Sequence, residues 1–269
     1  MYILLKVLQT AVLAVVLLEP LVSSSENGES NMIVGGFKVN IEDVPYQAAL
    51  FHFGRLLCGG TIIGPQWILT SYHCVEYLEP SQYGIVVGTD DPVNGNLLKV
   101  KNVMVPREIF TDGNILYDIA LVLLEKPVTY SKQVQCLTLL SSSDALAPGK
   151  PATISGFGTS SEGGFDSPLK AATIDLLPAS KCEQAYPEIM KQFMICAGFE
   201  EGSVDSCQGD SGGPLVVDGK LAGVVFYGRG CGRPHSPGVY ISVPSFHNWI
   251  LNVTSSQTNP SERKLCGEE

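Results

Sequence analysis

A chain of 269 residues, 45% of them apolar, has ample material for one large all-β unit or two smaller lobes, and its composition is not that of a disordered chain. Its formal net charge of −10 argues against a general nucleic-acid binder, which needs basic surface to displace counterions. A soluble acidic protein remains, whose charge alone is only a weak argument for basic partners.

The first eighteen residues, MYILLKVLQTAVLAVVLL, set Lys6 ahead of an apolar run from Val7 to Leu18 that Glu19-Pro20 ends. The run is short for a membrane span, and Val22 and Ser24 are small enough for signal-peptidase positions. Residues 1–24 therefore read as a secretory signal, with a signal anchor as the alternative. No later apolar run is long enough to span a bilayer, so neither membrane nor nucleic acid is an expected partner. Secretion places the eight cysteines, at 58, 74, 136, 182, 196, 207, 231 and 266, in an oxidising compartment. Their spacing contains no CxxC pair, so a structural zinc site is not expected, and they allow about a hundred pairings that spacing alone does not resolve.

From Ile33 onward short strands alternate with Gly, Pro, Asn and Asp. GTIIGPQWILTSYHC gives two apolar runs around Gly64-Pro65, LLKVKNVMV partly alternates, and DIALVLL is the nearly continuous run of a strand buried on both faces. PLVVDGKLAGVVFYG reads as a hairpin with Asp218-Gly219, the pair that type I′ turns prefer, at its tip. Helical spacing is scarce until Phe246, Trp249, Ile250 and Val253, which follow Pro244 as the stripe of a helix docked on a core. Asn252-Val253-Thr254 is the glycosylation sequon, and the tail 255–269 is polar and expected to be loose apart from Cys266. The pattern is all-β, sandwich or barrel, with a C-terminal helix.

Three stretches carry chemistry: TSYHC with His73, YDIALV with Asp118 heading a buried strand, and DSCQGDSGGPL with Ser211 in a glycine-rich loop. Each alone is weak; a histidine beside a cysteine or an aspartate before a strand is usually structural. Together, in the order His, Asp, Ser, they match one chain order for nucleophilic catalysis. A serine hydroxyl is a poor nucleophile at neutral pH and needs a base in hydrogen-bond reach. Histidine titrates near neutrality and can take that proton and return it, while a buried carboxylate fixes its tautomer. Glycines 209, 212 and 213 let the N–H groups of Gly209 and Ser211 converge as an oxyanion hole, each donor contributing about 2.7–4 kcal/mol to the transition state.

With IVGG, HC, DIAL, GDSGGPL and PGVY in order between Ile33 and Val253, the chain resembles the trypsin-like branch of the chymotrypsin-fold serine proteases, secreted insect trypsins in particular. The resemblance implies two packed six-stranded antiparallel β-barrels over 33–254, with His73 and Asp118 from the first and Ser211 from the second. It implies the disulfides Cys58–Cys74, Cys182–Cys196 and Cys207–Cys231, each contributing roughly 3 kcal/mol in the chain-entropy model. A further family bridge falls on Ala152 and Val217 and is absent; Cys136 and Cys266 remain, and are expected to pair. Asp205, six residues before Ser211, matches the family's basic-specificity aspartate, and Gly228 and Gly238 match the pocket walls. With Ser206, Gln208 and Tyr227 they are the implied substrate-binding residues, for protein substrates with Arg or Lys at the cleaved bond. A monomer, held in check by protein protease inhibitors and needing no cofactor, is also implied.

The family's activation mechanism makes 25–32 a prosegment: a cut between Met32 and Ile33 frees an α-amine that turns inward to Asp210. An enzyme selecting Arg or Lys does not suit a bond after Met32, so a separate activating protease is expected. Tyr72, Phe157, Tyr227 and Phe226 depart from the usual Ala, Trp, Trp and Ser. The missing serine hydroxyl, a donor to the triad aspartate, is the departure that makes a catalytically weak, protease-shaped binding or cofactor protein the alternative reading. VGTDDPVNGNLLKV, which matches a calcium loop in relatives, has Asp90 and Asp91 but no glutamate at either end, so no metal site is expected.

Overall fold

The computed structural model describes residues 33–267 except 78, 108–109, 112–113, 116, 142–145, 160–167, 190 and 258, and leaves aside the side chains of 110, 111, 114, 115 and 261. The signal segment 1–24 and the prosegment 25–32 with Met32 lie outside the described residues. Fifteen strands are described: β1 (Phe37–Lys38), β2 (Gln47–His52), β3 (Arg55–Gly64), β4 (Trp67–Thr70), β5 (Tyr83–Val87), β6 (Leu98–Met104), β7 (Phe110–Thr111), β8 (Asn114–Ile115), β9 (Ala120–Leu124), β10 (Pro151–Gly156), β11 (Lys170–Leu177), β12 (Met194–Gly198), β13 (Pro214–Val217), β14 (Lys220–Tyr227) and β15 (Gly238–Ser242). The helices are α1 (Ala179–Ala185), α2 (Val243–Ser255) and α3 (Pro260–Arg263).

Strands β2-β3-β4-β9-β6-β5 close into an antiparallel barrel. A second barrel runs β11-β10-β13-β14-β15-β12 and closes through β11–β12, with β1 added beside the start of β11. The expected two-barrel, chymotrypsin-like fold is what the chain forms. Every residue of β9 is buried, as its unbroken apolar run requires. The β13–β14 hairpin turns through Asp218 and Gly219, both at positive φ, 50° and 71°, as a type I′ turn demands.

Each barrel has its own core, Leu50, Ile62 and Ile85 in the first and Ile154, Leu215 and Tyr240 in the second. A third cluster joins them, with Trp67, Leu121 and Leu123 from the first barrel against Val224, Ile241, Phe246 and Ile250. The α2 stripe therefore serves the seam between barrels: Phe246 and Ile250 are buried, and Trp249 and Val253 pack against the same cluster. This seam fixes the cleft, because the catalytic candidates sit on strand ends along it.

Two features were not legible beforehand. Helix α1 is seven residues of largely polar sequence held by the Cys182–Cys196 bridge, with no apolar stripe to announce it. The tail is not loose. Leu265 is buried in the seam cluster, the Cys266 N–H donates to the Ile63 carbonyl at 2.9 Å, and the Trp67 indole N–H donates to the Glu262 carbonyl. The Glu262 carboxylate is paired at 2.7 Å with Lys101. Cys136 and Cys266 are bonded, across a separation of 130 residues. Replacing both by serine is expected to destabilise the protein by about 2–5 kcal/mol, since so long a loop restricts the unfolded chain strongly. A calorimetric Tm unchanged in Cys136→Ser/Cys266→Ser would show that the tail packs without its tether.

Candidate active site

His73 lies in a 3-10 turn, Tyr72–Cys74, directly after β4, and the Cys58–Cys74 disulfide ties that turn to β3. Asp118 precedes β9, which pairs with β4, so strand pairing brings the two side chains together. One Asp118 oxygen accepts the His73 backbone N–H at 2.8 Å and the other meets the ring Nδ1 at 2.7 Å. A carboxylate can only accept, so Nδ1 carries the proton and Nε2 is left as the basic nitrogen. Burial lowers the imidazole pKa, but the Asp118 hydrogen bond and the charges of Asp118 and Glu76 outweigh it and leave it raised.

Ser211 sits in a turn that the first barrel grips: the Gly59 N–H donates to the Ser211 carbonyl at 2.8 Å, and Cys74 Sγ lies 3.6 Å from the same oxygen. The nucleophile is thereby set against the disulfide that carries His73. Gly212, at φ +79°, has no room for a side chain; a Cβ there would strike Thr70 Oγ1 and the Gly59 carbonyl. Among the described residues neither the Gly209 nor the Ser211 N–H donates to a protein acceptor, whereas the Asp210 N–H between them bonds to the Cys207 carbonyl at 3.0 Å. Two flanking amides so left are what an oxyanion hole requires. The Ser71 hydroxyl, which motif reading passes over, donates to the Val225 carbonyl at 2.9 Å and links the barrels beside the site.

Asp210 is buried. Its two oxygens accept the N–H groups of Gly158 at 2.8 Å and Cys207 at 2.9 Å. Burial pushes its carboxyl up to about 6, opposed by those bonds and by the charge of Lys170. Ile33 is fully buried in the second barrel's core, and the Val34 carbonyl accepts the Asp205 N–H at 3.1 Å.

A cavity of about 160 Å³ opens beside Ser211, lined by Ser206, Gln208, Phe226, Tyr227 and Gly228. Asp205 lies behind its Gly228 wall. A Cβ on Gly228 would sit 3.8 Å from one Asp205 oxygen, and one on Gly238 3.2 Å from the other. The carboxylate is buried and accepts the Gly232 N–H at 3.0 Å, yet burial pushes it up to about 7. A buried acid in that state favours a cationic partner. Tyr227 forms one wall, edge-on to Tyr186 at 5.2 Å.

Among the described residues the Asp118 carboxylate accepts from His73 alone. Phe226, where a hydroxyl donor was the family expectation, packs its ring into the seam cluster and against Cys182, Tyr186 and Val239. Tyr72 is buried nearby; burial, then Glu76 and Asp118, raise its phenol. The Asp90 carboxylate accepts the Ile41 N–H at 2.5 Å, and Asp91 caps a turn through Asn94. Cys58, His73 and Cys74 cluster with metal-like proximity, but both sulfurs belong to one disulfide. The remaining bridges are Cys182–Cys196 and Cys207–Cys231.

A family model described as Trypsin matches residues 33–250. A trypsin of Saccharopolyspora erythraea is 39% identical over 224 residues, 81% of this chain and 96% of its own length. Trypsin 5G1 of Aedes aegypti is 37% identical over 232 residues, 84% of this chain and 86% of its own. Among solved structures, mouse neuropsin, a serine protease expressed in the limbic system of the brain, superposes with a TM-score of 0.74 at 32% identity, covering 81% of this chain and 98% of its own.

Proposed function

The chain belongs to the trypsin family of serine peptidases, and on that premise we propose that it is a secreted endopeptidase, made as a zymogen, that hydrolyses peptide bonds after Arg or Lys. The observation that carries the specificity is Asp205, a buried carboxylate flanked by Gly228, which lines the cavity beside Ser211, and by Gly238, so that neither flanking residue puts a side chain over the acid. In this reading the Ser211 hydroxyl attacks the scissile carbonyl as its proton passes to His73 Nε2. The oxyanion receives the Gly209 and Ser211 N–H groups, and His73 returns the proton to the leaving amine. Water then attacks the acyl-enzyme by the same route, restoring Ser211. Labelling of Ser211 by a fluorophosphonate, followed by turnover of Arg-, Lys- and Phe-ending peptides, tests it; correctly processed protein that takes no label sinks the enzyme reading.

Activation falls to another protease. The α-amine freed before Ile33 would meet Asp210 and order the Gly209–Ser211 loop, and a pocket that selects cations does not suit Met32. Pure zymogen that converted to an Ile33 start at a rate second-order in its own active form would refute this. Asn252 is exposed on α2, which leaves its side chain accessible to a glycan, while the Thr254 hydroxyl donates to the Ile250 carbonyl at 3.0 Å. No helix among the described residues is long and apolar enough to cross a membrane. The partners proposed are protein substrates, the activating protease and protein inhibitors, acting on a monomer.

The pH response separates the two groups. A cationic ligand needs Asp205 ionised, so affinity for a small aryl amidinium is expected to be full above about 7 and to fall about tenfold per unit below it. His73 must be neutral to accept the proton, so kcat/KM also falls as pH drops through its raised pKa. An uncharged substrate should show the His73 limb alone, and an amidinium affinity flat from pH 5 to 9 would contradict the assignment of Asp205.

Phe226 favours the alternative, a weak enzyme or binding protein, because among the described residues Asp118 has no donor beyond His73. Phe226→Ser is expected to raise kcat about tenfold, the lower end for a hydrogen bond to a charged group, and to lower Tm because the ring leaves two apolar clusters. An unchanged kcat would show that Asp118 needs no third donor.

A further inference from the structure

Lys170 opens β11, the strand that carries β10 on one side and β1 on the other, and it is the one buried lysine among the described residues, 0% exposed. A buried ammonium keeps its charge only where acceptors and a counter-charge replace its lost hydration. Its Nζ donates to the Gly158 carbonyl at 3.2 Å, and the N–H of that same Gly158 donates to Asp210 Oδ1 at 2.8 Å. Gly158 lies directly on the acid: a Cβ there would sit 2.6 Å from both Asp210 oxygens. Lys170 and Asp210 thus grip one residue from its two ends, and the lysine's charge acts on the carboxylate. Among the described residues the other charged groups facing this pair are Asp205, whose carboxyl feels Asp210, and the exposed Lys38 opposite Lys170 in β1; the Ile33 α-amine joins them once released.

We infer that Lys170 is a positioning residue for the proposed hydrolysis: a fixed internal cation that, through Gly158, holds Asp210 and with it the Gly209–Ser211 loop in the competent arrangement. The inference rests on the peptidase reading and deepens it. Cleavage before Ile33 then adds a second cation to a site that already has one. The uncut chain forms a working nucleophile for a fraction of the time, and the cut enzyme outlasts the loss of the α-amine's charge for as long as Lys170 keeps its own.

The test uses the full chain, uncut and cut before Ile33, as wild type, Lys170→Met and Lys170→Arg, with Ser211→Ala as the blank. Uncut wild type is expected to take a fluorophosphonate on Ser211 above the blank, Lys170→Met about tenfold more slowly, and Lys170→Arg near the wild-type rate. In the cut enzyme, the alkaline limb of kcat/KM should lie above the α-amine's range in wild type and drop into that range in Lys170→Met, a shift that a packing role alone would not produce. Uncut wild type that labels no faster than the blank overturns the proposal, as does Lys170→Met with wild-type labelling and limb. If Lys170→Met does not fold, uncut wild type still decides: its labelling must fall at alkaline pH, as Lys170 loses its proton, while its far-UV spectrum holds, and a flat profile overturns the proposal. Cut wild type that takes no label is a different failure, that of the peptidase reading itself.

Discussion

Ser211→Ala is expected to lower kcat by a factor on the order of 10⁶ while leaving KM for Arg substrates nearly unchanged. The substitution removes one oxygen and disturbs little else. The Ser211 carbonyl still accepts from Gly59, the Gly209 and Ser211 amides remain available, and the cavity beside residue 211 is intact. The residual rate, roughly 10³–10⁴ over water, should come from those amides and from substrate binding. Because nucleophile and base act as one unit, Ser211→Ala with His73→Ala should be little worse than either alone. Single-turnover kinetics on an Arg ester checks this. Two losses that multiply would show that His73, for all its 2.7 Å bond to Asp118, does not serve Ser211.

Asp205→Ser should act on the other half of the rate expression. Truncating one partner of a buried charge pair costs about 2–5 kcal/mol, so kcat/KM for Arg and Lys substrates is expected to fall by roughly 30-fold to several thousand-fold. Phe-ending substrates should be spared or improved, because the carboxylate that burial already pushes up to about 7 no longer needs to be neutralised or paired. The discrimination between Arg and Phe is therefore the decisive readout. An equal fall for both would mean that Asp205 supports the Gly232 turn and the Val34 pairing without reading the substrate.

Much of the fold and site could be read along the chain because the signals are local. β9 is buried on both faces and so is apolar without interruption. Asp218-Gly219 has the backbone freedom its turn uses, and Phe246 and Ile250 recur at the helical period that reaches the seam. The motifs around His73, Asp118 and Ser211 are local too. What could not be read depends on partners distant in sequence. The β11–β12 pairing that closes the second barrel joins residues whose own patterns do not name each other. Glu262 looks like a solvated charge until Lys101 is found opposite it, and Leu265 looks like an isolated apolar residue in a polar tail. Lys170 is the sharpest case. Nothing in SPLKAAT marks it as an inward residue, and its bond to the Gly158 carbonyl, on the residue that lies against Asp210, appears only in the folded chain.

The tail also bears on the order in which the molecule can be finished. Trp67 and Ile63 belong to the first barrel, yet Glu262, Leu265 and Cys266, which cover and bond them, come after the whole of the second barrel. The half of the protein made first must wait for the second barrel to be made before its largest buried ring is covered. A chain that stalls or is clipped near Ser255 would carry both barrels and every catalytic candidate, but with Trp67 uncovered and the Cys136 thiol without its mate. Such a product would present a bare indole and a free thiol, the features that chaperones and thiol-handling enzymes recognise, whatever its active site can do.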